Sequence, residues 1–513
     1  MLTYLQNRLI PLLIILLAFF IRLHTLDLQP LWFDESMEFW VATASLDKLF
    51  EAVKTSLQDP PLYSLLLHFW MNLGRDEFTL RLLSTFISLL SIATIFTLGR
   101  HVHSQSAGVV SAFFLALLPP EIRFAQEVGQ YAILIFTLLL NLLVMSYARQ
   151  TNRGRYWAIW VITALLCIYN YYGSLLIIIA VAGVVFVENV FRRKKKYLVK
   201  QIVALLVFIL LILPLAIGWI PHQLFQGPTS NAFATNFHSL SIEANILLTN
   251  TRQLLAYQLT GYIAEPELWT NLQLLAWVMI LISLFFSVLG LAKSTRHAYL
   301  LVWLLVSWIL YYVAGRMGVY PYGGTRHALI LTPLLVLAVS VGITTMWQIW
   351  RPLSLAMFIG ISVITVVAPR EAPEDLRSVA TYFLANRTDN IPAYVYYGAV
   401  PGFRYQLQSD GDLEEEIPAT WYRECWAGAL ESYCTDNEII YGRWIRQLSP
   451  EEKVSEILAT ITHSSQTEFW LLFSHTANAE QDEVVNTLKG LYVIVDSIEV
   501  QGASAYLFHL RQD

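Results

Sequence analysis

Charge is scarce in this 513-residue chain: 14% of its residues are charged and 56% are hydrophobic, with a mean hydropathy of +0.52. A soluble globular protein carries about 25% charged residues, so a wholly soluble chain is excluded. Cysteine is also scarce, with three in all. Cys167 lies in an apolar run. Cys425 and Cys434 stand nine positions apart in the polar C-terminal part. Two cysteines cannot make a structural zinc site alone; they are either free thiols or, in an oxidising compartment, a local disulfide. The net charge of −5 gives no basic surface for nucleic acid. No internal repeat, low-complexity tract or glycine-rich phosphate loop is present, and Tyr322-Gly323-Gly324-Thr325 is too short to be one. No small-residue cleavage site follows the first apolar core, which reads as a retained anchor.

Long apolar runs recur at 9–26, 78–98, 106–119, 131–148, 156–171, 173–191, 198–219, 271–291, 298–315, 327–347 and 350–368. A helix needs about 20 apolar residues to cross a bilayer. The run from Leu62 to Leu73 holds about a dozen, too few to span. The prediction is a multi-pass α-helical membrane domain of about eleven transmembrane helices over residues 1–368, including a first outer loop at 27–61. Residues 369–513 hold acidic clusters such as Asp412 to Glu416 and no span-length run. Here helix signals at Glu374 to Asn386 and Ser449-Pro450-Glu451-Glu452 alternate with strand signals at Ala393 to Tyr397, Phe469 to Phe473, Tyr492 to Ile498 and Ala505 to Leu510. They predict a small α/β domain.

Orientation follows from the basic clusters at Arg100-His101, Arg149 to Arg155, Arg192 to Lys196, Lys293 to Arg296 and Arg351. With 62–73 lying in the interface and the N-terminus cytoplasmic, every cluster falls on the cytoplasmic side. The expected location is the plasma (inner) membrane, with the C-terminal domain extracytoplasmic. Residues 41–56 alternate at helical spacing and read as an amphipathic helix on the membrane.

The outward side then collects the polar residues. Leu31-Trp32-Phe33-Asp34-Glu35 sets two carboxylates beside interfacial aromatics. They are either a solvated loop end or a general base or cation ligand, with Glu38 one helical turn away. Asp59 precedes Pro60-Pro61 at the other end of the loop, as a helix cap or as a second acid converging with Asp34. The turn from Pro119 to Tyr131 is dense in polar groups. Its Glu127 and Tyr131, four apart, are placed to share a helix face. Arg326 and His327 open a span, where an arginine either snorkels to head groups or grips a phosphate through its fork of donors. Arg22 and His24 lie a turn below the acidic loop.

Together these pieces resemble the polyprenyl-phosphate-sugar-dependent glycosyltransferases of the GT-C class, the group of the protein O-mannosyltransferases and the aminoarabinose transferase. The residues that carry the resemblance are Arg22 with Leu31 to Glu35, Asp59-Pro60-Pro61-Leu62-Tyr63, Gln126 to Tyr131, Thr325-Arg326-His327 with Pro333, and Glu374-Asp375-Leu376-Arg377. Two positions depart from many relatives: Asp59 stands where they have His, and Gln130 where they have Arg. The resemblance implies a polyprenyl-phosphate sugar donor and an extracytoplasmic acceptor (lipid, glycan or protein), with membrane lipids around and no nucleic acid. It implies Asp34 as general base with Glu35 beside it, and Asp59, Glu127, Gln130, Tyr131, Arg326 and His327 as substrate-binding residues. A divalent cation held by Asp34 and Asp59 is the one cofactor to be weighed. The other function classes are a lipid or solute transporter and a non-catalytic assembly subunit.

Overall fold

The structure is a computed structural model. It describes residues 9–56, 59–225, 244–261, 274–288 with gaps, 299–345, 350–367, 374–388, 391–409, 434–461 with gaps, 467–476 and 479–511. Cys425, the Asp412 to Glu416 cluster and the Lys293 to Arg296 cluster lie outside the described residues. The chain forms two compact units. A membrane unit comprises Met1–His24, Gln58–Tyr63 and Arg81–Arg370; a sheet unit comprises Thr25–Leu57, Ser64–Leu80 and Glu371–Asp513.

The expectation of about eleven spans is not met. Among the described residues six helices are long and apolar enough to cross a membrane: Glu77–Val102, Tyr131–Thr151, Ser174–Phe191, Lys195–Gly218, Tyr299–Arg316 and Arg326–Thr345. A seventh counts if the pair Gln105–Leu117 and Pro119–Ala125, bent by 60°, is one span. The reason is the difference between an apolar run and a helix. At about 1.5 Å per residue, the 14-residue helix Ile10–Leu23 is about 21 Å long, short of the ~30 Å hydrocarbon core. Gly154–Asn170 has 17 residues, and Pro352–Ile364 is shorter still. The run at 106–119 breaks because Pro119 and Pro120 start a new helix; proline is tolerated in a first turn but not in a helix interior.

Two helices are innermost. The most apolar stretch of Arg326–Thr345 is 89% buried and that of Tyr131–Thr151 is 83% buried, whereas Lys195–Gly218 is 22% buried and turns its leucines outward. The basic ends meet at one end of the bundle. Arg149 pairs with Glu188 at 2.6 Å and lies over the Tyr299 ring at 3.9 Å. Arg192 and Lys194 also reach Glu188, and His101 packs on Tyr147. The turns at 126–130, 171–173 and 317–325 belong to the other end.

In the sheet unit the 41–56 stretch is split: one helix is Phe33–Thr43 and the next Leu46–Ser56. Leu62–Trp70 is a nine-residue helix, too short to span. The sheet runs β2-β3-β1-β4-β6-β5, with β1 (Ala393–Val395), β2 (Cys434–Asp436), β3 (Ile439–Tyr441), β4 (Glu468–Ser474), β5 (Tyr492–Val500) and β6 (Ala503–Leu510). β3, β1 and β4 are parallel neighbours; β2, β6 and β5 pair antiparallel. Helix Pro450–Ile461 begins with a reciprocal cap, Ser449 N–H to Glu452 and Glu452 N–H to Ser449 Oγ. The outer-loop segments fold against these elements. Met37 belongs to the same core as Phe403 and Trp470, Trp40 Nε1 donates to the Pro401 carbonyl at 2.9 Å, Tyr405 donates to the Arg75 carbonyl, and Arg377 pairs with Glu77.

Candidate functional site

In the sheet unit Asp34 is the second residue of helix Phe33–Thr43. Its carboxylate sits in the first turn, where the helix dipole favours negative charge. The backbone there is fixed from both sides. Glu35 is 1% exposed, and its Oε2 accepts the Trp32 N–H at 3.3 Å, closing the helix start. Glu374 Oε2 accepts the Phe33 N–H at 2.9 Å, and Glu374 Oε1 meets His475 Nδ1 at 2.7 Å. The Phe33 and His475 rings stack at 4.1 Å and 8°. Gly398 makes room behind: a Cβ there would stand 2.3 Å from the Ser474 carbonyl. Glu38 is buried and accepts from Ser64 Oγ at 2.8 Å. The three acids of this helix therefore divide. Glu35 and Glu38 are turned into the structure, and Asp34 is the half-buried one.

In the membrane unit the turn ends bring together Asp59, Gln130, Tyr131, Arg326 and His327. Gln130 Nε2 donates to Asp59 Oδ2 at 2.8 Å, and Gln223 Nε2 donates to the Asp59 carbonyl. Asn170 holds the Gln130 carbonyl. The Arg326 guanidinium lies 5.7 Å from the Tyr131 ring centroid. His327 Nδ1 meets the Tyr171 hydroxyl at 2.5 Å, and Tyr320 donates to both Tyr171 and the His327 carbonyl. Gly173 permits this, since a Cβ there would overlap the Tyr320 hydroxyl. Arg326 opens the most buried span and is itself half-buried.

Glu127 is buried, but it lies in the turn before helix Tyr131–Thr151. It therefore does not share a helix face with Tyr131. Arg22 is fully buried: its Nε donates to Ser88 Oγ at 2.7 Å, Ser88 donates to Glu121, and its guanidinium caps the Ala116 and Leu115 carbonyls. Arg22 thus satisfies the carbonyls freed by the bend at Pro119. Gln126 Nε2 holds the Arg22 and His24 carbonyls. Tyr171, Tyr320 and Gln223 also belong to the constellation; the sequence puts their segments among the outward polar stretches but gives them no role. The signal available for the first was Asn170-Tyr171-Tyr172, a polar-aromatic break between two apolar runs. Asp34 belongs to the sheet unit and Asp59 to the membrane unit. Among the described residues no group of three or more His, Cys, Asp or Glu side chains could hold a metal ion, so no step is assigned to one.

Residues 58–217 match the family described as dolichyl-phosphate-mannose-protein mannosyltransferase. No curated protein matches the chain. Among solved structures, the Archaeoglobus fulgidus oligosaccharyltransferase in its apo form aligns at 12% identity and a TM-score of 0.50, over 78% of this chain and 64% of that one. The same enzyme tethered to an acceptor peptide aligns at 9% identity and a TM-score of 0.50, over 98% of this chain and 74% of that one. The chain shares its fold with these archaeal oligosaccharyltransferase structures. In the apo comparison it spans less than two thirds of the archaeal enzyme's length. ArnT from Cupriavidus metallidurans aligns at 12% identity over 97% of both chains, with a TM-score of 0.40. By its helices and its two units the chain is a multi-pass membrane protein with a distinct soluble C-terminal domain.

Proposed function

We propose that this protein is a GT-C-type glycosyltransferase that transfers a sugar from a polyprenyl-phosphate donor to a hydroxyl of an extracytoplasmic acceptor, with inversion. The observation that carries the reading is Arg326. It opens the most buried span beside Tyr131 and His327, at the bundle end opposite the basic clusters. The family match over 58–217, which contains Asp59, Gln130 and Tyr131, supports a lipid-phosphate donor. The positive-inside rule puts the basic end in the cytoplasm and the Arg326 end outside.

In the reaction the acceptor oxygen attacks the anomeric carbon. The bond from that carbon to the phosphate oxygen breaks, and polyprenyl phosphate leaves with the electron pair. Arg326 carries the charge that develops on the leaving phosphate, for which a guanidinium fork is suited. Asp34 takes the acceptor's proton as the new bond forms. The helix start at Phe33 favours negative charge at its carboxylate. Direct displacement from the face opposite the phosphate inverts the anomeric centre.

The test is purified full-length protein with a synthetic polyprenyl-phosphate sugar. Release of polyprenyl phosphate with a new glycosidic product is expected, and a donor left intact with every acceptor offered refutes the reading. Orientation is tested separately by Lys195→Cys, which a membrane-impermeant thiol reagent should not label from outside intact cells.

A further inference from the structure

Two backbone amides lead into Asp34, and each is held by a carboxylate of its own. Glu35 takes the Trp32 N–H at 3.3 Å, and Glu374 takes the Phe33 N–H at 2.9 Å. The two bonds differ in what they fix. Glu35 lies on the same helix as Asp34, so its bond turns with that helix. Glu374 comes from another part of the sheet unit. Its neighbour Asp375 donates its N–H to the Gln501 carbonyl at 2.8 Å, in the turn between β5 and β6, and caps helix Leu376–Asn386 through the Ser378 N–H at 3.2 Å. The Phe33 amide is therefore tied to the sheet.

His475 completes the tie. It follows directly on the last residue of β4, its Nδ1 lies 2.7 Å from Glu374 Oε1, and its ring covers that of Phe33. A carboxylate bonded through both oxygens resists rotation away from the amide it holds. The His475 backbone has a φ of +53°, in the left-handed region that residues other than glycine seldom occupy. Such conformations persist where the surroundings impose them, and they gather at functional sites. Gly398, just past β1, lies so close that a Cβ on it would stand 2.9 Å from the His475 carbonyl oxygen. β1 and β4 are parallel neighbours, and the carboxyl ends of such strands are the edge at which open α/β sheets hold their functional groups.

We propose that Glu374 and His475 are positioning residues of the transfer reaction: by fixing the Phe33 amide they set the direction in which the next side chain, Asp34, presents its carboxylate to the acceptor. The proposal rests on the glycosyl-transfer reading with Asp34 as base, and it gives the C-terminal part of the chain a share in the chemistry through Asp34. A base must come within hydrogen-bond reach of the proton it takes, and a misplacement of about 1 Å costs on the order of 100-fold in rate. Loss of the tie should therefore lower kcat and spare the donor KM, because Arg326, the phosphate grip, belongs to the membrane unit.

The test is a double-mutant cycle on the full-length protein in lipid nanodiscs, read by turnover of a synthetic polyprenyl-phosphate sugar. Glu374→Ala and His475→Ala should each lower kcat about 10- to 100-fold, with the donor KM within about twofold of wild type. In the Asp34→Asn background either change should cost less than about threefold, because no base is left to misplace. Glu374→Gln has the same shape and serves if the alanine variants do not fold: its weaker acceptor should lower kcat about threefold or more, and again only when Asp34 is present. Hydrogen exchange reads the tie apart from turnover, and the Phe33 amide should exchange about tenfold faster or more in the Glu374 variants. An equal loss in both backgrounds, a kcat near wild type in folded variants, or unchanged Phe33 exchange would overturn the proposal. A wild-type protein that leaves the donor intact refutes the transferase reading and this role with it, whereas turnover that falls in Asp34→Asn and holds in the Glu374 and His475 variants sinks the positioning role alone.

Discussion

Asp34→Asn and Glu35→Gln should fail in different ways, although the two residues are neighbours. Asp34 is half-buried in the first turn of helix Phe33–Thr43 and is read as the base. Loss of a positioned base costs about 10²–10⁴-fold in rate, or about 3–5 kcal/mol at 1.36 kcal/mol per decade. An amide keeps the shape and cannot take the proton, so the melting temperature of Asp34→Asn should stay near wild type. Glu35 is buried and closes the helix start through the Trp32 N–H at 3.3 Å. A lost cap costs ~0.5–2 kcal/mol of stability. The Gln variant retains an acceptor oxygen, so its cost should lie at the low end, with turnover within about threefold of wild type. The assay is release of polyprenyl phosphate at saturating donor, with a melt of each variant beside it. Near-wild-type turnover in Asp34→Asn removes the base. A loss of turnover in Glu35→Gln as large as in Asp34→Asn, at unchanged melting temperature, shows that the roles have been assigned to the wrong carboxylate.

Arg326→Lys should raise the donor KM about tenfold and Arg326→Ala about 10- to 100-fold, because a point charge replaces or nothing replaces a charged hydrogen-bonding fork; unchanged donor kinetics in the Lys variant would restore the snorkelling alternative. Lys453→Met should destabilise the sheet unit by about 3 kcal/mol or more, since Lys453 Nζ lies 2.6 Å from Glu480 with both side chains buried and its loss takes the positive charge from a carboxylate that Tyr396 and Tyr397 also bond; a denaturant midpoint equal to wild type would contradict this. Burial, and then the charge of Glu480, pushes the Tyr396 hydroxyl above its ordinary range. The folded state thus keeps a proton that the unfolded state releases near pH 10, so stability should fall as pH rises past about 10, and less steeply in Tyr396→Phe; parallel pH profiles for the two proteins would sink the argument.

The parts of the fold most legible in the sequence were local. Ser449-Pro450-Glu451-Glu452 announced a helix start that the structure closes reciprocally, and β4, β5 and β6 grew from apolar runs of strand length. Spans were read less well, because hydropathy counts apolar residues and does not see where a helix begins or bends. Pro119-Pro120 sits inside an apolar neighbourhood, yet it starts a new helix at 60°, and Ile10–Leu23 stops after 14 residues. At the candidate site, motif residues such as Asp59, Gln130 and Arg326 were visible one by one. Their partners Tyr171, Tyr320 and Gln223 come from distant turns, and nothing periodic in the sequence links them. Likewise, no sequence signal tells that Glu374 and His475 would hold Phe33, since that contact joins positions more than 300 residues apart.

The sheet unit is assembled from three stretches of chain, two early and one late. A ribosome therefore delivers Asp34 and its helix long before it delivers the strands that complete their core. About 350 residues separate this helix from β1, which at about 5–20 residues per second means on the order of 18–70 s of waiting. During that interval Met37, Phe39 and Trp40 have no sheet to cover them, so the membrane surface or a chaperone must shelter them. Pulse-chase proteolysis would show this as early cleavage between residues 27 and 56 that vanishes once synthesis has passed β6; protection from the outset would mean that the loop folds without its partner.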